Sequence, residues 1–178
     1  MKKRLWILVL CFLFVAANSF GQVESGDKEI SFLGYFSTFV GEDVEPNGYG
    51  SLQISYGRFM SKYLEIGIAP TLSFSTIQNE DNETELKTQL SGSVFFNLNL
   101  AAASKTIPYI SGQYYQFRFD IPEDQEFSDY SYANVGFGIK SFFNEYAAFN
   151  TQVVYGFSLA EEAEGGIVMI LTGLSFIF

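Results

Sequence analysis

Histidine is absent from this 178-residue chain. With it go the imidazole base, the Ser-His and Cys-His nucleophile pairs, and His-ligated zinc or haem. Cysteine occurs once, at Cys11, so no intrachain disulfide can form. Basic residues are scarce: 10 Lys and Arg stand against 20 Asp and Glu, a formal charge of −10. That balance argues against nucleic acid as a partner, because phosphates call for a basic face. No apolar run reaches the roughly 20 residues that a membrane-spanning helix needs. Aromatic side chains, by contrast, are plentiful, with 20 Phe and 11 Tyr.

Lys2, Lys3 and Arg4 precede an uncharged apolar run over 5–17, and a polar, small-residue stretch, Asn18-Ser19-Phe20-Gly21, follows. This is the tripartite layout of a secretory signal peptide, read here as residues 1–21 and as cleaved. A lipoprotein signal ending at Cys11 fits worse, since bulky Leu10 precedes the cysteine and the apolar run continues past it. Residues 22–29 then form a short lead and 30–178 a single domain. The mature part keeps 7 basic groups against 20 acidic ones and has no cysteine or histidine. Only oxygen ligands remain, so no cofactor is expected and any bound metal would be a hard cation.

The domain repeats one pattern: apolar and polar residues alternate with period 2 over segments of about ten residues. In 63–74, Leu64, Ile66, Ile68, Leu72 and Phe74 share one parity, while Glu65, Gly67, Ala69, Thr71 and Ser73 share the other. The same alternation runs through 86–98, 132–143 and 147–159. With 30–39, 49–60, 107–119 and 167–178 it predicts eight strands. Their links alternate in kind: short at 61–62, 101–106 and 144–145, longer and polar at 40–48, 75–85, 120–129 and 160–166. An up-and-down meander places the short links at one end and the long links at the other. The long links hold 15 of the 20 carboxylates and no Lys or Arg, whereas Lys62 and Lys105 lie in short links. One end of the molecule is therefore expected to be an acidic crown.

These features resemble the small eight-stranded outer-membrane beta-barrel proteins of Gram-negative bacteria, the OmpA-transmembrane and OmpX-like type. The resemblance covers the whole mature chain. It rests on the signal, the strand count, the link alternation, and phrases such as Tyr56-Gly57-Arg58-Phe59, Leu64-Glu65-Ile66-Gly67 and Ile107-Pro108-Tyr109. The last strand puts Val168, Ile170, Leu174, Phe176 and Phe178 on one parity and ends on an aromatic. The resemblance implies an all-β antiparallel transmembrane barrel in outer-membrane lipid. It further implies that Phe176 and Phe178 form an insertion signal read by the barrel-assembly machinery, and that the long loops meet an extracellular or envelope partner.

Several residues strain the pattern. Pro70 removes a ladder hydrogen bond inside a strand, which predicts a bulge or distortion. Arg58 shares the parity of Leu52, Ile54 and Tyr56, so it points at lipid unless it snorkels. Alternation is poor over 107–113. Tyr63, Tyr115, Phe119, Tyr130, Phe143, Tyr146 and Phe157, near strand ends, read as interfacial girdles. Glu65, Lys87, Arg118 and Lys140 fall on the polar parity and are the candidate lumen charges. Glu65 and Lys140 lie at similar heights near the short-link end, so Glu65 is expected to pair with Lys140, or with Arg58 if a bulge turns it inward; Lys87 and Arg118 lie near the loop end.

Three functions stay open at this point. The first is a non-enzymatic barrel acting in surface interaction, adhesion or envelope integrity, its acidic loops candidates for weak Ca2+ or Mg2+ binding. The second is a narrow pore, disfavoured because eight strands enclose a lumen that side chains can fill. The third is a soluble secreted barrel around a lipophilic ligand, which would need the apolar face inward. Barrel lipases and acyltransferases, as far as the resemblance carries, use the histidine that is missing here.

Overall fold

The computed structural model describes residues 23–38, 48–78, 84–116, 127–160 and 165–178. The expected signal peptide, Arg118, Phe119 and most of the acidic links lie outside them. Nine strand segments form one antiparallel sheet: β1 (Lys28–Thr38), β2 (Gly48–Ser61), β3 (Leu64–Ile68), β4 (Thr71–Gln78), β5 (Thr84–Asn99), β6 (Thr106–Gln116), β7 (Ser131–Phe142), β8 (Ala147–Ser158) and β9 (Ile167–Ile177). A 3₁₀ turn, Phe127–Tyr130, leads into β7. β3 and β4 are two halves of one stave, both lying between β2 and β5. β1 pairs with β2 on one side and β9 on the other, so the sheet closes into an eight-stave barrel. The seam is tied at its end by Lys28 N donating to Phe178 O at 2.9 Å and Phe178 N donating to Lys28 O at 3.0 Å. Closure removes the open edge, whose unpaired amides would each cost several kcal/mol in lipid.

Pro70 interrupts the third stave without bulging it. Tyr56 pairs with Ile68 before the gap and Gln53 with Thr71 after it, so the register carries straight through. Pro70 O still accepts from Ile54 N at 3.0 Å, and Ala69 N donates to Ser93 O at 2.9 Å. Only the bond that a proline nitrogen cannot make is lost. Of the bulge or distortion expected there, the distortion is this gap in the ladder, and a bulge lies between Phe59 and Ser61, beside the β2–β3 turn.

Facing follows the pleat. Ile54, Ile68, Leu90, Val94, Val135 and Ile170 are exposed on the outside, while Ser55, Ser91, Ser93, Asn97, Asn150 and Ser175 are buried inside. This orientation overturns the soluble-carrier reading, which required the reverse. A water-soluble chain does not expose apolar side chains as a continuous ring. Aromatic residues mark both rims. At the short-link end Tyr63, Phe143 and Tyr146 are exposed, with the Lys62 ammonium 5.0 Å from the Tyr63 ring centre. Toward the loops, Phe36 stacks on Phe74 at 6.4 Å and Tyr155 on Phe157 at 6.0 Å. Tyr115 departs from the girdle expectation. It lies on the inward parity of β6, is buried in the lumen, and donates its hydroxyl to Gln53 Oε1 at 2.8 Å.

Candidate functional site

The lumen is the one interior space the barrel has to offer, and its side chains fill it in layers. At the short-link end the filling is apolar: Val23, Phe59, Ile107, Phe142, Ala148 and Ile177 form a buried cluster. Val23 belongs to the segment before β1, which folds back under the barrel. Gly26 N donates to Phe59 O at 2.8 Å and Ser25 Oγ to Met60 O at 3.0 Å. Gly26 adopts φ +102°, a conformation open to glycine at no steric penalty, and so turns the lead into β1.

Above this base sits a charged layer. Lys140 Nζ lies 2.9 Å from Glu65 Oε2 and 2.5 Å from Glu29 Oε2, with all three side chains almost wholly buried. The Asn97 amide donates to Glu65 Oε2 at 2.9 Å. Ser31 Oγ donates to Glu29 Oε1 at 2.6 Å, contacts Ser175 Oγ at 2.7 Å, and so links the layer to Asn150 and through it to the Tyr109 hydroxyl. The ammonium also lies 5.3 Å from the Phe59 ring centre and 5.2 Å from that of Tyr109. Such enclosure is tolerable for charge only because each group is paired and hydrogen-bonded. Space for it comes from glycine. A Cβ on Gly57 would overlap the Glu65 carboxylate, and one on Gly138 would overlap the Tyr109 ring.

Of the lumen charges read from the sequence, Glu65 and Lys140 are brought together. Arg58 stays on the outer face, exposed, so the bulge beside it does not turn it inward. Lys87 is exposed near the loop end, on the wall of a mouth cavity of about 500 Å³. Arg118 lies outside the described residues. Phe176 and Phe178 are exposed on the outer surface, Phe176 edge-on to Phe32 at 6.4 Å. Glu29 was missed. The sequence pattern places it in the lead, yet β1 begins at Lys28 and Glu29 is its first inward residue. The parity of Ser31 and Leu33, extended back by one step, was the signal that would have found it.

The middle layer is uncharged. Gln113 Nε2 donates to Ser93 Oγ at 2.8 Å and to Gln53 Oε1 at 3.2 Å, and the Gln152 amide donates to Ser111 Oγ. The space left between these side chains is about 20 Å³, room for a single water. Leu33, Val154 and Leu171, with Tyr35 and Met169 against them, cap the layer. Beyond them the lumen opens toward the loop end as a vestibule of about 540 Å³. Among the described residues no group of three or more His, Cys, Asp or Glu side chains could hold a metal ion.

No protein-family model matches the chain, and no curated protein sequence matches it. The solved structures that share its fold include two from Pseudomonas aeruginosa. The N-terminal beta-barrel domain of Pseudomonas aeruginosa OprF matches with a TM-score of 0.50 at 18% identity, over 88% of this chain and 100% of that one. The outer membrane protein OprG from Pseudomonas aeruginosa matches with a TM-score of 0.51 at 13% identity, over 89% of this chain and 98% of that one. At such identities the likeness is one of fold alone, a closed antiparallel barrel, here of eight staves.

Proposed function

We propose that the chain is a non-enzymatic integral outer-membrane barrel whose lumen is sealed and whose work is done at its loop end, in surface interaction, adhesion or envelope integrity. The observation that carries this reading is the filling of the lumen. An apolar base, a paired-charge layer and a hydrogen-bonded layer block the short-link half, and among the described residues the open space lies on the loop side. The outer ring of Ile, Val, Leu and Phe supports a lipid anchor. The neighbours' printed descriptions, an outer membrane protein and a beta-barrel domain, support the location. The sealed lumen also supports an anchor over a narrow pore. In this reading the short links and both termini are periplasmic, and the acidic links 75–85 and 120–129 are outside.

The test is fractionation of expressing cells, followed by protease shaving of intact cells and planar-bilayer recording. The expected results are recovery in the outer-membrane fraction, a gel band that shifts on boiling, cleavage within 75–85 or 120–129, and no steady conductance. Cleavage only at Lys62 or Lys105 would reverse the orientation. Steady conductance of the native barrel would favour the pore.

A further inference from the structure

We infer that the loop-end vestibule is a binding site for a small uncharged carbohydrate. Its volume of about 540 Å³ lies within the roughly 300–1,000 Å³ typical of small-molecule sites. Its walls are of two kinds, fixed by the strand order. On β2, β4 and β5 the lining is Ser51, Thr71, Ser73, Gln89 and Ser91, all hydroxyl or amide. The β4–β5 wall faces β8–β9 across the barrel, where Gly156, Ile167, Met169 and Leu171 are apolar and only Ser158, with Asn134 of the adjoining β7, adds polar groups among the described residues. Tyr35 and Tyr115 add aromatic rings.

Each property of the lining narrows the ligand. Among the described residues that line the vestibule none is charged, so an ion entering it would shed water without gaining a counter-charge. A wholly apolar ligand would strip water from the hydroxyl and amide side chains that are not buried, such as Ser73 and Gln89, and offer them nothing in return. A sugar answers both walls: its hydroxyls exchange hydrogen bonds with the Ser, Thr and Gln groups, and the C–H face of its ring lies against Met169, Leu171 and the tyrosine rings. On the floor the Tyr115 hydroxyl donates to Gln53 Oε1 at 2.8 Å and is held in place by it. Lys87 lines the adjoining mouth cavity, which shares Tyr35, Ser73 and Gln89 with the vestibule, and is not itself among the vestibule's lining residues.

The side from which the sugar arrives follows from the orientation proposed above. Binding itself is measured on the purified barrel, so a reversed orientation and an empty vestibule give different results. The mature chain is refolded into lipid nanodiscs, its folding checked by the heat-shifted gel band, and its amide resonances are followed during titration with glucose, galactose, maltose, glucuronate or 1-hexanol. Saturable shifts at Ser73, Ser91 and Met169 are expected with at least one neutral sugar, and none with glucuronate or hexanol. The double variant Ser73→Leu/Gln89→Leu should weaken that sugar by roughly tenfold or more, about 1.4 kcal/mol, while the heat-shifted band persists. No saturable shift with any neutral sugar, or an equal response to glucuronate or hexanol, overturns the proposal. So does undiminished binding by the folded double variant; should that variant fail to fold, the ligand series on the native chain decides alone.

Discussion

Lys140 is held by two carboxylates and two aromatic rings in a space with almost no contact with solvent. Two carboxyl groups share one ammonium, and this asymmetry makes the three residues unequal under mutation. Lys140→Met strands Glu29 and Glu65 together and should destabilise the barrel by about 3–5 kcal/mol, the usual penalty for breaking a buried ion pair. Glu65→Gln leaves a neutral Lys140–Glu29 pair and an amide still able to bond, so its loss should be much smaller. In the Lys140→Met background, Glu65→Gln should recover part of the lost stability. Urea unfolding in lipid vesicles measures all three variants, and strictly additive changes would show that the two side chains do not interact. The height and parity of Glu65 and Lys140 were legible from their distance to the short links. Glu29 is harder to read, because a polar lead looks the same whether it dangles or begins a strand, and only the parity of Ser31 and Leu33 carried back one step marks it as inward.

Between neighbouring staves the sequence is readable wherever the inside is polar and the outside apolar, and it falters where both are apolar. β6 is the clear case. Ile107, Tyr109 and Tyr115 point inward and Ile110 outward, so two-colour patterning has no contrast to work with. The physical reason lies in the narrow bore: an eight-stranded lumen is packed with side chains, and near the base it takes the apolar chemistry of an ordinary core. Val23 extends that core from outside the sheet, a contact that no strand period encodes. Pro70 is the opposite case, legible in position but not in consequence. Since the register on either side of it is already that of an unbroken strand, Pro70→Ala should restore one ladder bond to Ile54. The expected gain is about 0.5–1.5 kcal/mol in vesicle unfolding, with unchanged register by amide exchange. A loss of stability would show that the gap relieves strain that an unbroken ladder could not bear.

For the whole molecule, closure and membrane insertion meet at one residue. Phe178 ties the seam through its backbone, exchanging two hydrogen bonds with Lys28, and presents its ring to the outer surface in the same row as Phe176. The family resemblance assigns the ring to recognition by the assembly machinery, whereas the geometry assigns the backbone to closure. The two roles separate under mutation. Deleting Phe178 removes both, while Phe178→Asp keeps an amide and a carbonyl in place and exchanges the apolar ring for a charge. If the ring is the signal, both variants should be depleted from the outer membrane far more than Phe127→Ala in the turn before β7. Quantified outer-membrane yield is the readout, and refolding of the same variants into synthetic vesicles, where no machinery operates, isolates the seam. Phe178→Asp should then refold with near-native yield in vesicles and fail in cells, and the deletion should be impaired in both. Equal yields of the Phe178 and Phe127 variants in cells would remove the signal role and leave Phe178 as the clasp of the barrel alone.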